Sequence, residues 1–218
     1  MPVVDVCKRI KIMNDTLDYI AKKFNLDFSE KPPFFIDGGR GEAGLALLFK
    51  KLGFKIGAEI GVQRAEYSEV LGRVIPGRKL YGIDAWTIYE GYRDILGGQD
   101  RYDANFEIAK ERTAFFDCVL IKKWSMDAVK DFKDESLDFV YLDANHDFSH
   151  VAEDINAWEK KIRIGGIISG HDFARSNQYR LTIHVKDVVR AWVSAHQISP
   201  WFVIIGDSSP NWMWVRTK

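Results

Sequence analysis

The sequence predicts an α/β protein: a doubly wound, seven-stranded sheet, mostly parallel, with a terminal antiparallel hairpin and an N-terminal helical extension. Three observations carry this. Residues 136–173 (SLDFVYLDANHDFSHVAEDINAWEKKIRIGGIISGHDF) read as strand, acidic turn, helix, glycine turn, strand. Residues 55–61 (KIGAEIG) and 79–83 read as strands joined by a helix with Tyr67, Val70, Leu71 and Val74 on one side, one βαβ unit. Apolar runs at 201–205 and 212–215 are separated only by 206–210, too short for a parallel crossover, so they pair as a hairpin.

In the central unit, residues 137–142 form a nearly uninterrupted apolar run, as in a strand buried on both faces of a parallel sheet. The run stops at Asp143-Ala144-Asn145-His146. Asp147 or Ser149 can cap the following helix, whose Val151, Ile155, Trp158 and Ile162 share a face. Gly165-Gly166 is read as its end, and a strand at 167–169 then runs into His171-Asp172. Two parallel strands joined by a helix deliver Asp143, His146, His171 and Asp172 to one sheet edge. Ligands of open α/β sheets bind at that carboxyl edge.

Around this unit, residues 2–24 read as an amphipathic helix. Val3, Val6, Ile10, Met13, Leu17, Ile20 and Phe24 form a heptad seam that can lie on its own domain or pair with a second subunit. Residues 25–35, with Pro32-Pro33, read as a linker and 42–52 as a short helix. The expected division is an extension over 1–52 and a main domain over 53–218. Residues 86–103 are polar, aromatic and irregular, expected as a loop covering substrate or lying on the surface. A helix follows at 104–116, a strand at 117–121, a short helix to about 132 and another helix carrying Val185, Val188, Val189, Trp192 and Val193.

With 46 % apolar residues there is ample core material. Lys plus Arg and Asp plus Glu number 31 each, so no basic excess marks a nucleic-acid footprint. Cys7 and Cys118 sit in apolar-periodic segments and are expected as reduced thiols of a cytoplasmic protein. No signal core and no run of about 18 apolar residues is present, so no membrane partner is expected.

The turn after residues 55–61 separates two cofactor classes. A dinucleotide needs G-x-G-x-x-G so that backbone can approach the pyrophosphate. Here Gly61 is present, but Gln63 and Glu66 stand at the other two glycine positions. Glu59 also sets a carboxylate beside the ligand, which repels a diphosphate and favours an ammonium. Asp84, at the next strand tip, suits a ribose diol. A nucleoside carrying an amino acid, S-adenosyl-L-methionine, fits both.

AEIGVQRAEYSEVL, LYGIDAW and the 136–173 unit resemble the class I S-adenosylmethionine-dependent methyltransferases with their Rossmann-like sheet. The branch is the methyltransferase domain 24 type, akin to macrocin-type O-methyltransferases, and the resemblance covers about residues 56–193. It implies that Glu59 and Gly61 face the methionine end, that Asp84 takes the ribose, that Trp86, Ser125 and Met126 surround the adenine, and that Asp143 also belongs to the cofactor-binding set. It implies His146 as the base beside Asp143, and Asp143 with Asp172 as ligands of a divalent cation, magnesium first. Where some relatives carry a second acid this chain has His171, a third candidate ligand that would favour a softer ion. The implied reaction is O-methylation of a small-molecule hydroxyl, on a sugar or a natural-product diol. The alternatives are an NAD-binding oxidoreductase, against which the missing glycines stand, and a non-catalytic nucleoside-binding protein. His150, His184 and His196 are read as surface or packing residues, and Trp212 and Trp214 as hairpin packing.

Overall fold

The computed structural model describes residues 15–38, 43–77, 79–89, 97–178, 181–206 and 209–218. Its centre is an eight-stranded sheet. Along the chain the strands are β1 (Phe34–Asp37), β2 (Ile56–Ile60), β3 (Lys79–Asp84), β4 (Cys118–Lys122), β5 (Leu137–Leu142), β6 (Ile162–Gly170), β9 (Trp201–Ile205) and β10 (Asn211–Val215). A separate two-stranded ribbon, β7 (Ser176–Gln178) and β8 (Leu181–Ile183), lies between β6 and β9 in the chain. The spatial order is β1-β9-β10-β6-β5-β2-β3-β4. Only β10 runs against the rest, pairing antiparallel with both β6 and β9. The doubly wound sheet and its terminal hairpin are as the sequence predicts.

The eighth strand is β1, within the 25–35 stretch expected from sequence as a linker and running two residues beyond it. Its Phe34 and Ile36 alternate inward and pair in parallel with Phe202 and Ile204. Pro32-Pro33 stand directly before it, and an edge strand tolerates them. A second difference concerns Gly165-Gly166. These glycines do not stop the preceding helix; they lie inside β6 at a bulge, where pairing jumps from Leu137–Ile162 to Phe139–Ile167. Gly165 has φ 80° and Gly166 lies against Asp138 O, so both are needed where the strand swells.

The helices are α1 (Asp15–Phe24), α2 (Ala43–Lys51), α3 (Glu66–Val74), α4 (Gln99–Thr113), α5 (Ser125–Ala128), α6 (Phe148–Trp158) and α7 (Val185–Ala195). On one sheet face Ile20 of α1 and Leu45, Leu48 and Phe49 of α2 pack with Leu71, Phe139, Ile167 and Met213. The other face buries Val151, Ile155 and Trp158 of α6 with Val188 and Val189 of α7. The described part of the N-terminal seam, Leu17, Ile20 and Phe24, packs on this domain, and the Thr16 hydroxyl donates to Gly165 O at 2.7 Å. Val3, Val6, Cys7, Ile10 and Met13 lie outside the described residues, as does the middle of the 86–103 loop. No helix among the described residues is long and apolar enough to cross a membrane.

α4 begins at Gln99, five residues before the expected start, because Gln99 ties the turn together. Its amide donates to Trp86 O and Asp103, and its oxygen accepts from Ile88 N–H and Thr87. Trp86 is therefore not part of an irregular exposed loop. It is 1 % exposed, packs on Phe106 at 4.6 Å and donates its indole N–H to Gln63 O at 2.7 Å.

Candidate active site

The chain turns from β2 outward through β3 to β4, then returns to β5 and builds in the opposite direction. The switch lies between β2 and β5, where a ligand crevice is expected at the strands' carboxyl ends. A cleft of about 640 Å³ opens there, within the range of small-molecule sites. Backbone bonds beyond the strands hold its rim: Gly61 N–H to Ile83 O at 2.8 Å, Asp143 N–H to Ile60 O at 2.8 Å and His171 N–H to Leu142 O at 3.1 Å.

Glu59, Gly61, Asp84, Trp86, Ser125, Met126, Asp143, His146 and His171, all selected from sequence, line this one cleft. Gly61 has φ 90°, and a Cβ there would lie 2.1 Å from Asp143 O. Its missing side chain thus lets the β5 tip cross over β2 and fixes where Asp143 stands. Glu59 is 2 % exposed and accepts the Ser68 hydroxyl from α3.

Asp84 accepts N–H bonds from Val62 (3.1 Å), Gln63 (2.9 Å) and Trp86 (2.7 Å). Burial pushes its carboxyl above the usual range, and those amides only partly offset that. The amides of the β2–α3 turn that would cradle a diphosphate are therefore already turned onto a carboxylate. This arrangement weighs against a dinucleotide alongside the missing glycines.

Across the switch, the tips of β5 and β6 build a tighter cluster. His146 Nε2 lies 3.2 Å from Asp143 Oδ1 and 3.3 Å from Asp172 Oδ2. His171 Nδ1 lies 3.3 Å from Asp172 Oδ1 and 3.9 Å from Asp143 Oδ1. Burial raises the Asp172 carboxyl, but hydrogen bonds from His171 and Ser209 and the charge of His146 outweigh it and hold it at about 2. One ligand atom each from Asp143, His146 and Asp172 lie within 4.8 Å of one another, a donor set of two oxygens and one imidazole that suits a divalent cation. His146 is steadied from behind, its carbonyl accepting from His184 N–H at 2.8 Å. Asp147 caps α6, accepting from His150 N–H at 3.0 Å, and so fixes the turn that carries the cluster.

Several lining residues were not selected from sequence. Asn145 donates to the Tyr89 hydroxyl, and Tyr89 stands edge-on to Trp124 at 5.0 Å. His150, read as an ordinary surface or packing residue, lines the cleft and holds Asp147 through Nδ1 at 2.8 Å. Asp154 lines it too, 6 % exposed and pushed by burial to about 6. A signal for Asp154 existed: residues 151, 154, 155 and 158 form one helical stripe, and 154 is its only charge. Cys118, the free cysteine among the described residues, is pushed by burial to about 12 and is an inert thiol. Trp212 and Trp214 pack as the hairpin reading expects, stacked at 5.1 Å.

The cradle is compatible with S-adenosylmethionine. The Glu59 and Asp84 carboxylates stand at the ends of β2 and β3 in its wall, and the Val62 and Gln63 amides between them already donate to Asp84. A family profile described as a methyltransferase domain matches residues 58–173, just over half the chain. No curated protein matches it in sequence. Among solved structures, it is similar to an O-methyltransferase from Bacillus cereus in complex with SAH (19 % identity, 93 % of this chain and 89 % of that one, TM-score 0.57). It is also similar to the O-methyltransferase TomG of Streptomyces achromogenes, involved in tomaymycin synthesis and in complex with SAM (16 %, 94 % and 90 %, TM-score 0.58). At such identities these likenesses speak for the fold; the matched family speaks for the chemistry. The chain belongs to the methyltransferase-domain family of class I S-adenosylmethionine-dependent methyltransferases.

Proposed function

We propose that this methyltransferase methylates a hydroxyl of a small molecule, a sugar or natural-product diol, presented at the Asp143–His146–Asp172 cluster. The observation that carries the reading is that Asp143 and His146 line one cleft with the Glu59–Asp84 cradle, with Asp172 behind them 3.3 Å from His146. Glu59 and Gly61 bound the methionine end, Asp84 takes the ribose hydroxyls, and Ser125 and Met126 flank the adenine with Trp86 behind them. When bound, the cofactor supplies a methyl group made electrophilic by its sulfonium.

The chain's own task is to make the acceptor oxygen nucleophilic. His146 Nε2 takes the hydroxyl proton, and the flanking carboxylates of Asp143 and Asp172 stabilise the imidazolium that results. Such a base contributes typically about 10²–10⁴-fold. Asp143 and Asp172 would hold a divalent cation, with His171 nearby, and the cation would lower the hydroxyl's own pKa. His146 Nε2 has one lone pair, so it serves as base or as ligand, not both at once.

The test is transfer of a labelled methyl group from S-adenosylmethionine to a panel of sugars and diols, run with magnesium and with a chelator. Label on oxygen that disappears on chelation supports the whole reading. Transfer that persists under chelation removes the metal, and label on nitrogen or carbon removes the hydroxyl acceptor.

A further inference from the structure

We infer that Asp154, on α6 and outside the reacting cluster, reads the base of the cofactor and makes the cleft selective for a 6-aminopurine nucleoside over a 6-oxopurine one. This rests on the cofactor reading above. Asp154 is almost fully buried yet lines the cleft together with Ser125 and Met126, the residues placed against the base. Its Oδ1 accepts the Ser125 hydroxyl, and Ser125 Oγ in turn accepts the Trp158 indole N–H at 2.8 Å. The carboxylate is thus clamped in one orientation between α5 and its own helix. Among the described residues no donor reaches Oδ2.

With Oδ1 held by Ser125, Oδ2 is open to the cleft rather than sealed in the interior, and Asp154 is the one charge in a stripe otherwise made of Val151, Ile155 and Trp158. A ligand that donates there gives that oxygen a hydrogen bond in place of water. Asp84 sets the sugar at the β3 tip, and the neighbouring outer tip, after β4, carries Ser125 and Met126. Asp154 overhangs that position from α6. An exocyclic amino group donates to it, whereas a carbonyl would set two acceptors against each other. A site built around one hydrogen bond rejects the analogue that lacks it, because its own group is then left unpaired.

The experiment is calorimetry on the full chain with S-adenosylhomocysteine and S-inosylhomocysteine, for wild type and Asp154→Asn. Wild type should prefer the adenosyl compound by about ten- to a hundredfold. Asp154→Asn keeps the shape and can keep the Ser125 bond while turning an N–H donor to the cleft, so the preference should fall to within about threefold or reverse. An undiminished preference in the folded variant overturns the inference and leaves the cofactor reading standing. Wild type binding both compounds alike overturns it with no variant needed. Wild type binding neither overturns the cofactor reading and this inference with it. If Asp154→Asn does not fold, Ser125→Ala decides: releasing the clamp should lower the preference at least about threefold, and an unchanged preference overturns the inference.

Discussion

The two ends of this sheet both carry aspartates and hold them in opposite ways. Where the strands begin, Asp138 accepts from Lys55 N–H (2.6 Å), Ile56 N–H (2.9 Å) and the Arg163 guanidinium (2.6 Å). Burial raises its carboxyl, but these donors outweigh burial and hold it below the usual range. Where the strands end, Asp143 and Asp172 face imidazoles instead of amides. A carboxylate satisfied by backbone N–H groups is fixed structure. One whose partners exchange protons is available for chemistry. Asp84 stands between the two: at the ligand edge, yet held by three amides, a positioned acceptor rather than a proton carrier.

The comparison breaks most visibly at His146. His146→Ala should lower kcat by about 10²–10⁴-fold while the S-adenosylhomocysteine dissociation constant stays within about threefold, read by turnover and calorimetry. Equal losses in both would make His146 part of the binding wall. Asp154 comes next. Its folded pKa of about 6 lies above the unfolded value, so its contribution to stability is fully present below about pH 4 and lost as pH rises through about 6, with His150 and Glu153 the charges acting on it. In ligand-free protein, urea unfolding of wild type against Asp154→Asn should diverge by roughly 2 kcal/mol between pH 4 and pH 7, with the variant gaining. A pH-independent difference would contradict the burial of that carboxylate.

At the opposite end Asp138→Ala should cost about 2 kcal/mol of unfolding free energy with kcat per folded molecule unchanged. Asp138 is depressed, so its contribution is present above about pH 4 and fades as pH falls through the lowered value, the reverse of Asp154. The smallest effect is expected of Trp86→Phe: about 1 kcal/mol of stability from the lost bond to Gln63 O, with little change in cofactor affinity. A large affinity loss without a stability loss would put the indole against the adenine instead of in the wall behind it.

The strand ends and the polar residues at their tips were legible because each is a local event: an apolar run stopping at Asp84, at Asp143 or at His171-Asp172. β5, α7 and the hairpin followed from periodicity and loop length. What escaped sequence reading depends on distant partners. β1 is four residues beside two prolines and becomes a strand only because Phe202 and Ile204 offer an edge. Gly165-Gly166 look like a stop, and only pairing with β5 turns them into a bulge. Trp86 reads as loop until Phe106 and Gln63 bury it. His150 and Asn145 enter the cleft through the Asp147 cap and Tyr89, contacts that no spacing announces.

The most direct test of the central claim is a crystal structure with S-adenosylhomocysteine bound. The expected result is the ribose on Asp84, the amino-acid end over Glu59 and Gly61, and the sulfur facing the acceptor space beside Asp143, His146 and Asp172. A ligand whose sulfur faces away from His146, or one seated outside the β2–β5 switch, would contradict it.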